Sequence, residues 1–85
     1  MNEKDKRVGF VGIIIKDRKK QSLAVNQVLM EFGDMIIART GIPYHARTVS
    51  VITLIVDATT DDVGSLTGKL GRIPGVSVRS ALSKE

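Results

Sequence analysis

The sequence contains no cysteine and no tryptophan, and only one histidine, one tyrosine, two phenylalanines and two prolines among its 85 residues. The missing cysteines exclude disulfides, iron–sulfur ligation and thiolate zinc sites. One histidine cannot make a metal site alone, because such a site needs several ligands converging; His45 reads as a turn residue. Phe10, Phe32 and Tyr44 are the only other ring-bearing side chains, which leaves little on which nucleic-acid bases could stack. The longest apolar run, Val8 to Ile15, falls far short of the ~20 residues that a membrane-spanning helix needs. Met1 to Arg7 is charged and polar, with no apolar segment behind a basic start. No signal peptide is expected, and the cytoplasm is the expected compartment.

Charge of one sign is also modest. Thirteen basic residues against nine acidic ones give a net charge of +4, which suits a mixed, solvated surface. A nucleic-acid-binding domain usually concentrates its charge and adds a recognisable motif. Neither a basic arm nor a helix-turn-helix pattern is present, so nucleic acid is not the expected partner. Eighty-five residues make one domain, expected over 1–85 with a flexible tail at 1–6. A chain this short buries only about 60% of the surface that its unfolded form exposes. Small folds lean on disulfides, metals or oligomerisation, and here oligomerisation is the support that remains.

What is present is a regular alternation of elements. Arg7 to Ile15 is β-branched and apolar, and reads as a strand. From Gln21, Val25, Val28, Leu29 and Phe32 fall at helical spacing, and Gly33 stops the helix. Asp34 to Gly41 resumes a strand, and Gly41 to His45 reads as a turn. A long strand follows over Arg47 to Asp57. Thr59 or Thr60 can cap a second helix, with Asp61 and Asp62 in its first turn. Val63, Leu66, Leu70 and Ile73 form its apolar stripe, Pro74-Gly75 ends it, and Val76 to Leu82 reads as a last strand. The order β, α, β, β, α, β predicts an α+β, ferredoxin-like sandwich. Two helices should cover one face of a four-stranded antiparallel sheet whose first and third strands are central.

Two helices hide only one face of such a sheet, so its strands should alternate apolar and polar. The central strands do not. Val8, Phe10 and Ile14 point one way and Val11, Ile13 and Ile15 the other; Val49, Val51 and Ile55 likewise oppose Ile52, Leu54 and Val56. Monomers rarely leave a contiguous apolar patch open. The second face is therefore expected to bury against another copy, as a dimer or tetramer, with Phe10, Val11, Ile13, Ile15, Ile52, Leu54 and Val56 as candidate interface residues.

The topology also gathers basic residues at one end of the sandwich. Lys16, Arg18, Lys19, Lys20, Tyr44, His45, Arg47 and Arg72 should meet there with the free N–H groups of the first helix. A small anion, carboxylate or phosphate is the ligand such an end could take; a solvated basic rim is the alternative. The second helix carries Gly64, Gly68 and Gly71, each costing about 1 kcal/mol relative to alanine, and close backbone packing is the expected reason. Catalysis is not expected. Capping accounts for Asp57, Asp61 and Asp62, no histidine–carboxylate pair activates a hydroxyl, and Asn26 lies within the first helix.

The chain as a whole, and Arg39-Thr40-Gly41-Ile42-Pro43-Tyr44 and Leu66-Thr67-Gly68-Lys69-Leu70-Gly71-Arg72-Ile73 leading to Gly75-Val76 in particular, resembles the small proteins called iron-only hydrogenase system regulators. That family is similar in fold to ACT domains and to the ligand-sensing domain of the nickel-responsive regulator. The resemblance implies an oligomer with a regulatory role and a small effector at a subunit interface, near Arg39, Tyr44 and Arg47. It does not carry over nickel binding, because the histidine and cysteine set is missing, nor DNA binding, because only six residues precede the first strand. No cofactor is expected. Two other roles remain open: an accessory protein that binds hydrogenase-maturation partners without a small ligand, and a nucleic-acid-binding module.

Overall fold

The β-branched run Arg7–Ile15 forms strand β1, and the computed structural model follows the chain from there through residues 5–84. Of the expected tail over 1–6, residues 1–4 lie outside the described residues. Helix α1 spans Arg18–Glu31, beginning three residues before the expected start. The reason is a cap hidden in the basic stretch. Asp17 accepts from the Lys20 backbone N–H at 3.3 Å, while the Gln21 side-chain oxygen accepts from the Asp17 N–H at 3.0 Å. This reciprocal arrangement satisfies donors that a helix start leaves orphaned.

A 3₁₀ turn over Gly33–Met35 leads into β2, Ile36–Tyr44. The expected turn at Gly41 to His45 is instead the end of this strand, and the reversal falls on residues 45–48. Pro43 misleads because proline normally interrupts a sheet. It is tolerated here because β2 is an edge strand. Strand β3 runs Val49–Ala58, and helix α2, Thr60–Gly71, opens with the Thr59 hydroxyl accepting from the Asp62 N–H at 3.1 Å. Strand β4 is Val76–Leu82, as the sequence predicts.

The strands form one antiparallel sheet in the order β2-β3-β1-β4, so β1 and β3 are central. This is the ferredoxin-like sandwich. Both helices pack on one face, where Val25 and Leu29 of α1 and Val63, Leu66 and Leu70 of α2 meet the sheet. The sheet contributes Val11, Ile13, Ile15, Ile52, Leu54, Val56 and Ala58, all buried. The two helices are also tied by Lys69 Nζ to Glu31 Oε2 at 2.7 Å. Both partners are about half exposed, so the pair contributes at most ~1 kcal/mol.

The glycines sort differently from the sequence expectation. A Cβ at Gly64 or Gly68 would meet nothing within 4 Å, and one at Gly71 would make only an ordinary 3.8 Å contact with Val78. Close packing within the chain is not what these helix glycines serve. The close approach lies at Gly9 in β1, where a Cβ would collide with the Ala81 carbonyl and the Leu82 side chain of β4. Gly68→Ala should therefore raise stability by about 0.5–1 kcal/mol, through the helix propensity it restores. Gly9→Ala should lower it by about 1–3 kcal/mol through overpacking. Urea denaturation followed by circular dichroism checks both; stabilisation by Gly9→Ala would contradict the packing described.

Candidate functional site

Which face the helices cover decides what remains available for binding. Val11, Ile13, Ile15, Ile52, Leu54 and Val56, expected at an interface, are core residues beneath the helices, none more than 6% exposed. The expectation named the wrong face for all but Phe10. The open face carries Phe10 and Ile14 from β1 and Val51 and Ile55 from β3, exposed by 52%, 48%, 38% and 40%. Register places them side by side, Phe10 opposite Ile55 and Ile14 opposite Val51. Ile42 and Tyr44 extend the patch along β2, opposite Val51 and Val49. A row of Thr40, Thr53, Gly12 and Arg79 crosses it.

Of the residues expected to bind a ligand, all but two come together at the basic end. The β1–α1 turn and the β2–β3 hairpin face each other across an open groove of about 850 Å³. It is lined by Lys16, Arg18, Lys19, Lys20, Tyr44, His45 and Arg47. Its one carboxylate, Asp17, already accepts from the Lys20 N–H as the cap of α1. Among the described residues the one ion pair is Lys69 with Glu31, so the groove's cations face solvent without a carboxylate partner there. The first N–H groups of α1 add partial positive charge to the same end. The turn into β4 is fastened alongside by the Lys16 N–H donating to the Gly75 carbonyl at 2.8 Å.

The hairpin wall of the groove is strained at one point. Thr48 has φ 57, a left-handed conformation unfavourable for a β-branched residue. Its hydroxyl donates to the Arg47 carbonyl at 2.6 Å, and the Arg47 N–H donates to the Tyr44 carbonyl at 3.1 Å. The turn thereby fixes the backbone around His45 and Arg47, both of which line the groove. His45 is exposed, and among the described residues no group of three or more His, Cys, Asp or Glu gathers as metal ligands would.

The exceptions are Arg72 and Arg39. Arg72 follows α2 as its C-terminal cap and lines neither this groove nor its neighbour. Arg39 lies in a separate cleft of about 180 Å³ between α1 and β2, with Arg18, Ser22, Asn26, Gly41 and Ser50. Its Nη2 donates to Asn26 Oδ1 at 2.7 Å. Sequence reasoning missed Asn26, Ser22 and Ser50 as site residues. For Ser50 a signal was available: it shares parity with Ile52, Leu54 and Val56 and so places a hydroxyl among core aliphatics.

Comparison with known proteins then extends what the geometry shows. Residues 7–80 match the TM1266-like family, whose description is iron-only hydrogenase system regulator. The structure of protein TM1266 from Thermotoga maritima is 35% identical with a TM-score of 0.89, over 93% of this chain and 99% of that one. The ACT domain of GTP pyrophosphokinase from Chlorobium tepidum is 19% identical, TM-score 0.73, over 91% and 88% of the two chains. A nitrogen regulatory PII-like protein from Thiomonas intermedia, solved with ADP, AMP and bicarbonate, is 16% identical, TM-score 0.51, over 92% and 93%. These last two similarities show the fold. No curated protein matches the chain, and among the described residues no helix is long and apolar enough to cross a membrane. With nearly its whole length matched, the chain belongs to the TM1266-like family of iron-only hydrogenase system regulators.

Proposed function

We propose that this chain is a small regulatory protein that works as an oligomer, joining copies through its open sheet face and sensing a small anionic effector at its basic end. The observation that carries the reading is the open-face set of Phe10, Ile14, Val51 and Ile55, four large apolar side chains 38–52% exposed, paired Phe10 with Ile55 and Ile14 with Val51 on either side of the Gly12–Thr53 row. Burying such side chains contributes roughly 25 cal/mol per Å² of apolar surface, and single domains seldom leave so many large apolar side chains grouped on one face in water. A dimer formed face to face would cover it; a tetramer would need a second contact, for which the edge of β2 offers Ile37, exposed by 61%.

The effector is placed in the groove between Lys16–Gln21 and Tyr44–Val49, where Lys16, Arg18, Tyr44, His45 and Arg47 provide charge and hydrogen-bond donors. Its volume is within the roughly 300–1,000 Å³ of small-molecule sites. A related fold binds ADP, AMP and bicarbonate in the PII-like protein, which makes phosphorylated and carboxylated metabolites the sensible panel. The same open face could take a different protein of the hydrogenase system, with no small ligand involved. That reading requires the isolated chain to be monomeric.

Size-exclusion chromatography with light scattering at micromolar concentration should give a dimer or tetramer. Phe10→Glu combined with Ile55→Lys should give a folded monomer. A monomeric parent chain overturns the assembly reading and favours a foreign partner. For the effector, calorimetry with acidic metabolites should show saturable heat that Lys19→Ala/Arg47→Ala reduces at least tenfold. Heat that the double variant leaves unchanged removes the groove as the site.

A further inference from the structure

The cleft between α1 and β2 has a feature that packing alone does not explain. Ser50 lines it, the residue is 7% exposed, and its buried hydroxyl oxygen has no hydrogen-bond partner among the described residues. A buried hydroxyl left unpaired costs stability, and alanine or valine at this core-facing position would avoid that cost. Beside it stand Arg18 and Arg39, with no carboxylate among the residues lining the cleft.

The remaining polar groups are oriented to donate. A guanidinium has donors only, so the 2.7 Å contact from Arg39 Nη2 turns the Asn26 oxygen toward Arg39 and leaves the Asn26 amide N–H groups directed away from it. The Ser22 hydroxyl already donates to the Arg18 carbonyl at 2.6 Å. Ser50 and the two arginines therefore lack what an oxyanion supplies, lone pairs in a fixed plane, which arginine recognises with two parallel hydrogen bonds. The cleft has an apolar side as well, formed by Ile15 and Ile52. Gly41 also lines it, and a Cβ there would lie 3.7 Å from Ile52, an ordinary contact, so the absent side chain is room and not a packing necessity. At about 180 Å³ it is smaller than the roughly 300 Å³ lower bound of drug-sized sites, which excludes a nucleotide.

We propose that this cleft binds a short aliphatic carboxylate, its carboxyl group held by Arg39 and Arg18, its carbon chain against Ile15 and Ile52, and one oxygen accepting from Ser50. The assignment is independent of what the larger basic groove takes, although Arg18 borders both.

The test is titration of the ¹⁵N-labelled full chain with butyrate, followed by amide chemical shifts, with inorganic phosphate and butylamine in parallel. Saturable shifts at Asn26, Arg39, Gly41 and Ser50 with butyrate, and none there with butylamine, are expected. Phosphate, lacking a carbon chain, should bind at least tenfold more weakly. Ser50→Ala should reduce butyrate affinity about tenfold while its melting temperature equals or exceeds that of the parent. Gly41→Ala, which adds a methyl group to the lining, should weaken binding without loss of fold. Shifts confined to Lys16–Gln21 and the hairpin, phosphate binding as tightly as butyrate, or unchanged affinity in Ser50→Ala would each overturn the proposal. So would a lowered melting temperature in Ser50→Ala, because the hydroxyl would then be serving the fold.

Discussion

Everything in this molecule follows from covering a four-stranded sheet with two helices on one side only. The apolar stripes of α1 and α2 bury the face that carries Val11, Ile13, Ile15, Ile52, Leu54 and Val56. Among the described residues nothing covers the other. A chain of this size could have answered with polar residues on the uncovered face, as half-exposed antiparallel strands normally do. It instead placed Phe10, Ile14, Val51 and Ile55 there, so the sheet carries large apolar residues on both sides. The proposed assembly would use that second side as a surface whose burial is conditional.

The same shortage of helix leaves β2 exposed on the side that the helices do cover. Helix α2 lies against β4 and α1 against β1, and every residue of β2 after Ile36 is exposed. On this strand Arg39, Gly41 and Pro43 share the helix-side face with the buried Leu54, Ile52 and Ser50 to which they are paired. They are polar or small where the central strands are bulky. The cleft beside α1 is thus the uncovered margin of the core, and Ser50 is the point where that margin reaches β3.

Much of this was legible beforehand. The element order, the central position of β1 and β3, the stripe Val25, Val28, Leu29, Phe32 and the cap at Thr59 all follow from periodicity and local hydrogen-bonding chemistry, which act within a few residues. The face assignment failed because periodicity of two states only that residues alternate; it does not say which set the helices choose. The polar members held the answer. Thr53 and Asp57 share parity with Val51 and Ile55, whereas Ser50 is the sole polar residue in the set with Ile52, Leu54 and Val56. The face with more polar interruptions is the one in water. The start of α1 was missed because Asp17 lies among Lys16, Arg18, Lys19 and Lys20, where charge masks a cap. The division of the basic residues between two clefts depended on where α1 lies relative to β2, a tertiary distance that no local pattern encodes.

Strand β2 is the element on which the two faces meet. Its residues alternate between Arg39, Gly41 and Pro43 toward the helices and Ala38, Thr40, Ile42 and Tyr44 toward the open side. It is an edge strand held to the sheet by β3 alone, with an irregular register between Ile36 and Ala38. Edge strands are the part of a sheet most able to shift, because only one side is hydrogen-bonded. A ligand can change assembly only if it binds the free and assembled states differently. An anion held between Arg18 on α1 and Arg39 on β2 would span the joint between helix layer and edge strand. Any displacement of β2 that it opposed or favoured would move Ile42 and Tyr44 on the opposite face by the same rigid pleat. The strand that sequence reading cut short at Gly41, because a proline follows, is for this reason the one through which the proposed binding and the proposed assembly would have a direct physical route to each other.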